Sequence, residues 1–266
     1  AAKYAIAGLG VTPQGVLPGT SAEQLTWDAI ELALTDSGLR RNQVNGFVFQ
    51  PGFGGGTSGM AASRAALAAN TALQINSGGA TGILSVITAI GLIEAGTAEY
   101  VVCAHGTNAR SQKVLVGEGG TDRNAVFGLF SPGASAALMA QSYFDKYSKT
   151  SEDLAQVAVA LRANGALRPD AYMYNRPITV ADHQNSPFIV RPLHMLDYCL
   201  VTDGAVAFIV TTAERARELR TRPVYLRGFG ASHSIAHGYI RGTSTALGEA
   251  DFEAEPAKSR ALGQAG

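Results

Sequence analysis

Charge is scarce in this sequence, and what there is cancels. Asp, Glu, Lys and Arg make up 16% of the 266 residues, and 21 basic side chains face 21 acidic ones for a formal charge of zero. A chain so balanced has no long-range field to draw in nucleic acid or an anionic membrane. Cysteine is almost absent. Cys103 and Cys199 lie far apart in apolar surroundings, which is neither a disulfide framework nor a metal spacing. Two buried, reduced thiols in a cytoplasmic protein are expected, with no metal site. The most apolar run, Ala80 to Ala95, is short for a membrane span and contains Ser85, Thr88 and Glu94. The first residues enter a strand pattern directly, so no signal peptide is expected. There is no Gly-x-Ser-x-Gly elbow for a serine hydrolase. No lysine sits in an apolar run that would lower its pKa for Schiff-base chemistry.

What is abundant is apolar surface, 46% of residues, together with 31 glycines. That combination predicts a thick layered core, an oligomer, or both. Strand patterns are expected at Tyr4 to Leu9, Gly46 to Gln50, Thr71 to Ile75, Tyr100 to Ala104, Ala205 to Thr211 and Pro223 to Phe229. Helices are expected from Ser21, which forms a capping box with Gln24, to the stop at Gly38. Further helices are expected at Met60 to Ala69, Ala80 to Ala95, from the Ser131-Pro132 cap to Tyr147, and from Thr150-Ser151 to Leu167. Thr212 caps a short charged helix, and a helical period returns at Ala257 to Ala265. Arg168 to Asn185 reads as irregular, and no internal repeat is evident. Alternating strands and helices argue for a mostly parallel sheet. The run from Ala80 is apolar around its whole circumference, which predicts a helix buried on all sides between two sheets.

Several motifs carry little chemistry. Gly8-Leu9-Gly10 follows a strand, but Pro13 stands where a dinucleotide fingerprint needs its third glycine, so a tight turn is the reading. His233 and His237 are four apart in loop-like sequence without a third ligand. His183 lies in the polar cluster Asp182-His183-Gln184-Asn185-Ser186, where it lines a site or holds a turn. More informative is Ile75-Asn76-Ser77-Gly78-Gly79-Ala80-Thr81-Gly82. A strand runs into a polar turn and then into the apolar helix, placing backbone N–H groups and the helix dipole where a developing oxyanion would be stabilised.

This turn, with Gly96-Thr97-Ala98-Glu99-Tyr100-Val101-Val102 after it, resembles the thiolase superfamily, in particular its sterol-carrier-protein-X branch. Arg191-Pro192-Leu193-His194-Met195-Leu196-Asp197-Tyr198-Cys199 and Thr202-Asp203-Gly204-Ala205 resemble a second segment of that branch. The resemblance spans essentially the whole chain and implies an α/β fold, a layered α-β-α-β-α sandwich with mostly mixed or parallel sheets, whose C-terminal half is incomplete. It divides the chain into a domain over 1–230, with an inserted loop region around 105–190, and a linker and the start of a second domain over 231–266. Gly79 stands where the family carries its nucleophilic cysteine, so an acyl-enzyme thioester has no sulfur to form on. The cysteine-less turn and Arg176 to Ser186 look most like bacterial aldolases of steroid side-chain degradation.

That likeness implies retro-aldol cleavage of a β-hydroxyacyl-CoA to a ketone and a short acyl-CoA such as propionyl-CoA. Coenzyme A enters as part of the substrate, and no further cofactor is implied. Gly79 would supply an oxyanion N–H. Asn76, Gly78, Ala80, His105, Asn108, Phe130 and His183 are the candidate substrate-binding residues. The acid and base are expected beyond Gly266. A homodimer with a small OB-fold/zinc-ribbon partner is expected. Two alternatives share the fold: a non-catalytic acyl-CoA or lipid-binding subunit, and a thiolase whose cysteine was replaced.

Overall fold

A computed structural model describes residues 2–50, 67–114, 131–232 and 254–266. The chain divides into two compact units, Ala1–Val114 with Thr202–Ala231 and Pro256–Gly266, and Leu115–Val201 with Ser232–Glu255. The second unit thus interrupts the first between Val114 and Thr202. The expected helix at Met60 to Ala69 falls largely outside the described residues.

The first unit is built on a six-stranded sheet. Its strands are β1 (Tyr4–Val11), β2 (Gly46–Gln50), β3 (Thr71–Gln74), β4 (Val101–Thr107), β7 (Gly204–Thr212) and β8 (Val224–Leu226), in the order β3-β2-β4-β7-β1-β8. β2 runs parallel to β3 and β4, whereas β7 is antiparallel to β4 and β1, and β8 is antiparallel to β1. The sheet is therefore mixed, as the layered sandwich with mixed or parallel sheets implies, although the strand–helix alternation alone points to a mostly parallel one. A helix between β3 and β4 carries the chain back so that β4 runs with β2 and β3, whereas β7, which follows the second unit in sequence, runs in the opposite sense.

Helix α1 (Ala22–Ser37) covers one face. Ser21 accepts the Gln24 N–H, and Gly38 closes the helix in the left-handed region at φ 77°. Its Leu25, Ala29, Ile30 and Ala33 pack with Phe47, Phe49, Val102, Ala207 and Ile209. The neighbouring positions Val48, Val101, Cys103 and Val210 point to the other face, where α2 (Thr81–Glu94) contributes Ala89 and Ile90. That alternation is the period-2 rule of a sheet buried on both sides.

Among the described residues, only one flank of α2 is covered. Thr81, Ser85, Ala89 and Ile90 are buried, whereas Ile83 is 64% exposed. The helix is thus not buried on all sides, because no described residue provides a second cover. Cys103 is buried and its burial pushes the thiol pKa up, but Cys199 is exposed, contrary to the expectation of two buried thiols. Helix α7 (Ala254–Ala265) lies against the segment after β8 so closely that a Cβ on Gly228 would overlap the Ala261 carbonyl, and one on Gly230 that of Ala257.

The second unit holds α3 (Pro132–Tyr147), α4 (Ser151–Ala166), α5 (Val180–Asn185) and a hairpin of β5 (Phe188–Val190) and β6 (Leu193–His194). The Ser131 hydroxyl caps α3, with Pro132 in its first turn, and Thr150 and Asp153 form a capping box on α4. Helix α5 lies within the stretch read as irregular. Thr179 and Asp182 cap it reciprocally, and six residues are too few to show a helical period. In the first unit, a short α6 (Ala213–Ala216), capped by Thr212, follows β7.

Candidate active site at the strand ends

β1 runs with β4, since both are antiparallel to β7, so β1, β2, β3 and β4 all end along one edge of the sheet. Sheets of this kind place ligands outside the carboxyl ends of their parallel strands. Gathered along that edge are the turn after β3, Gln50 at the end of β2, His105 near the end of β4, and Asp203 at the entry to β7.

The turn after β3 is held by its own polar groups. Asn76 Oδ1 accepts the Gly78 N–H at 3.2 Å, and Gly78 takes a left-handed φ of 57°. Thr81, fully buried, accepts the Ser77 N–H on its hydroxyl at 2.7 Å and donates to the Gly78 carbonyl at 2.7 Å. The Ala80 N–H donates to Ser77 O and the Thr81 N–H to Gly78 O. The Gly79 N–H is taken by no hydrogen bond among the described residues. A Cβ built on Gly79 would have no neighbour within 4 Å. The turn is exposed, and α2 starts from Ala80 without a side-chain cap. An unengaged N–H at the positive end of a helix dipole can accept a developing negative charge.

Near the end of β4, His105 is half-buried, with Nδ1 3.4 Å from the Gln50 carbonyl. Its pKa is lowered by burial, partly opposed by that contact. Asn108 is 7% exposed and its amide is engaged, Nδ2 donating to Thr20 O at 3.2 Å. That bond braces the segment before α1. Phe130 lies outside the described residues, as do His233 and His237.

His183 belongs to the second unit and is fully buried. Gln184 donates to its Nδ1 at 3.1 Å, so Nε2–H donates to Asp197 at 2.7 Å. The other Asp197 oxygen accepts the His194 N–H, and His194 Nδ1–H donates to Ser186 O. His183 therefore anchors the 183–197 segment, and its ring nitrogens are not presented to a substrate.

The residue that sequence reasoning passed over is Asp203. It is fully buried and accepts N–H groups of Leu17 and Ser111 and the Ser111 hydroxyl. Burial disfavours its charge, but these donors and the Arg110 N–H outweigh that penalty and hold its pKa below the usual carboxylate value. One carboxylate thus ties the segment after β1, the turn after β4 and the start of β7. Its place in Thr202-Asp203-Gly204-Ala205 was the available signal. Among the described residues, no group of three or more His, Cys, Asp or Glu is placed to hold a metal, and no helix is long and apolar enough to cross a membrane.

No family model matches the sequence. Among curated proteins, a "steroid side-chain-cleaving aldolase" of Thermomonospora curvata is 36% identical over 92% of this chain and 67% of its own length. A "17-hydroxy-3-oxo-4-pregnene-20-carboxyl-CoA lyase" of Mycobacterium tuberculosis is 37% identical over 84% of this chain and 61% of its own. The chain thus spans about two thirds of the length of these relatives. Among solved structures, an "Ltp2-ChsH2(DUF35) aldolase" superposes with a TM-score of 0.81 at 33% identity, covering 91% of this chain and 64% of that one. Human mitochondrial 3-ketoacyl-CoA thiolase shares the fold, with a TM-score of 0.69 at 19% identity.

Proposed function

The chain belongs to the thiolase superfamily, in its branch of steroid side-chain-cleaving aldolases, and on that premise we propose that it takes part in retro-aldol cleavage of a β-hydroxyacyl-CoA derived from a steroid side chain. A base removes the β-hydroxyl proton, and the Cα–Cβ bond breaks as the carbonyl of the ketone product forms. The released electron pair enters the thioester as an enolate. Protonation at Cα then gives the short acyl-CoA, propionyl-CoA in this reading. Each step is proton transfer or charge stabilisation, and none requires a covalent nucleophile.

The observation that carries the proposal is the Gly79 N–H, which no hydrogen bond among the described residues takes and which lies exposed at the mouth of α2. It is assigned to the thioester oxygen, where it meets more charge in the enolate than in the ground state. The absent side chain leaves room for a branched α-carbon. The turn from Asn76 to Ala80 and His105 are assigned to the substrate. The acid and base are assigned to the family's C-terminal half, which would also cover the exposed flank of α2. A homodimer, an OB-fold/zinc-ribbon partner subunit and a cytoplasmic setting complete the reading, with coenzyme A present only as part of the substrate.

The test is product analysis with the intact protein and its partner. A β-hydroxy steroid-CoA should yield free ketone and short acyl-CoA in equal amounts without added free CoA. A thioester that is bound and returned intact would favour a carrier, and a strict need for free CoA and a β-keto substrate would favour a thiolase.

A further inference from the structure

The second unit contains a cavity of about 690 Å³ that no step above uses. This lies within the roughly 300–1,000 Å³ typical of small-molecule sites. Ala136 and Ala140, one turn apart on α3, and Ala158 on α4 are among its wall residues, so short side chains leave its width open. Leu161, Leu193 and Leu196 make the lining apolar. Two charged residues also line it, and they differ in commitment. Asp197 has both oxygens held, one by His183 and one by the His194 N–H. Arg162 makes a single hydrogen bond, from its guanidinium to the Arg176 carbonyl at 3.3 Å, and has no carboxylate partner among the described residues. An apolar lumen with one uncommitted cation suits an apolar molecule that ends in an anionic oxygen.

We propose that this cavity binds an amphipathic steroid carboxylate, with its ring body between α3 and α4 and its carboxylate on Arg162. The steroid body rests on the function proposed above. The apolar lumen and the cation do not.

Cys199 makes the idea measurable. It is exposed and lines the cavity, whereas Cys103 is fully buried. Modification of the intact protein by a water-soluble disulfide reagent, followed on the peptide carrying Cys199, therefore reports occupancy. Saturating 3-oxo-4-pregnene-20-carboxylate should slow that modification at least about tenfold, since lost access suppresses thiol exchange. Arg162→Ala should weaken the half-protecting concentration about tenfold, the loss of one charged contact. Ala158→Trp, which fills the lumen, should abolish protection while far-ultraviolet circular dichroism stays native. If that variant does not fold, Arg162→Ala decides alone.

No protection in the parent protein, or undiminished protection in either folded variant, overturns the site. Equal protection by palmitate overturns the steroid assignment. Cleavage of the CoA thioester is assayed in parallel. Cleavage without protection sinks the cavity proposal alone, and protection without cleavage supports it while sinking the aldolase reading.

Discussion

Gly10 of β1 lies so close to Ala29 of α1 that a Cβ on the glycine would overlap the alanine's carbonyl oxygen and crowd the Ala33 N–H. The glycine is there because the helix backbone rests directly on the strand. Gly10→Ala should therefore destabilise the fold by about 3 kcal/mol, the upper range for overpacking a rigid contact. The midpoint of urea unfolding should fall with the slope unchanged. A neutral effect would mean that α1 sits further from β1.

Asp203 knits three segments of the strand-end region, and its charge is favoured by the donors around it. Because its folded pKa lies below the unfolded value of about 3.9, its contribution is complete above that pH and is lost as pH falls towards the folded value. Asp203→Asn should cost about 2 kcal/mol at neutral pH, since an N–H₂ would face donors. It should also flatten acid unfolding below about pH 4. Thermal unfolding from pH 3 to 7 checks both.

His105 has the opposite charge type but the same direction of pH dependence. Burial lowers its pKa below the unfolded value of about 6.5, so the folded state prefers the neutral ring. Its contribution is present above about pH 6.5 and lost on acidification. His105→Gln should make stability less steep between about pH 6.5 and 5. NMR titration of the ring assigns the effect to this residue.

His183 is fully buried and paired with an Asp197 carboxylate that is only 10% exposed. His183→Ala should cost about 3 kcal/mol, because it strands the aspartate's partnered oxygen. His183→Gln, which keeps a donor, should recover part of that loss. Loss of substrate affinity without loss of stability would instead mark a ligand contact.

Much of the layered fold was legible before the structure, because its local signals are strong. The Ser21 cap, the Gly38 stop and the Ser131-Pro132 start each satisfy helix-end groups using residues within a turn or so. The strand over Gly46 to Gln50 is short, apolar and bounded on both sides. What escaped depends on contacts distant in sequence. Strand direction at β7 is set by the chain's return from another unit. Gly8 and Gly10 read as a turn in sequence but serve packing against α1, at Ala33 and Ser37 for Gly8 and at Ala29 and Ala33 for Gly10. The β5–β6 hairpin and α5 are too short to show a period, and their stability comes from tertiary packing and the His183–Asp197 bond.

At the site, the turn after β3 was visible because an apolar helix follows a polar glycine pair. His183 stands out as part of a polar cluster in an apolar chain, and the fold uses it as a brace. Asp203 was the reverse case. The Thr202-Asp203-Gly204-Ala205 motif marks the position, but nothing in it names the three segments that the carboxylate joins. Cys199 was misjudged because apolar neighbours in sequence do not ensure burial in space.

The central claim is that main-chain amide, and no sulfur, stabilises the charge released when the carbon–carbon bond breaks. Gly79→Cys tests it most directly, since a Cβ there meets nothing within 4 Å and the variant should fold like its parent. With a β-hydroxy steroid-CoA and no free CoA, the parent is predicted to release ketone. The cysteine variant should do so at least about tenfold more slowly, because the thiol displaces the α-carbon from its reacting position. An inert parent, beside a cysteine variant that cleaves a β-keto substrate with free CoA, would contradict the account.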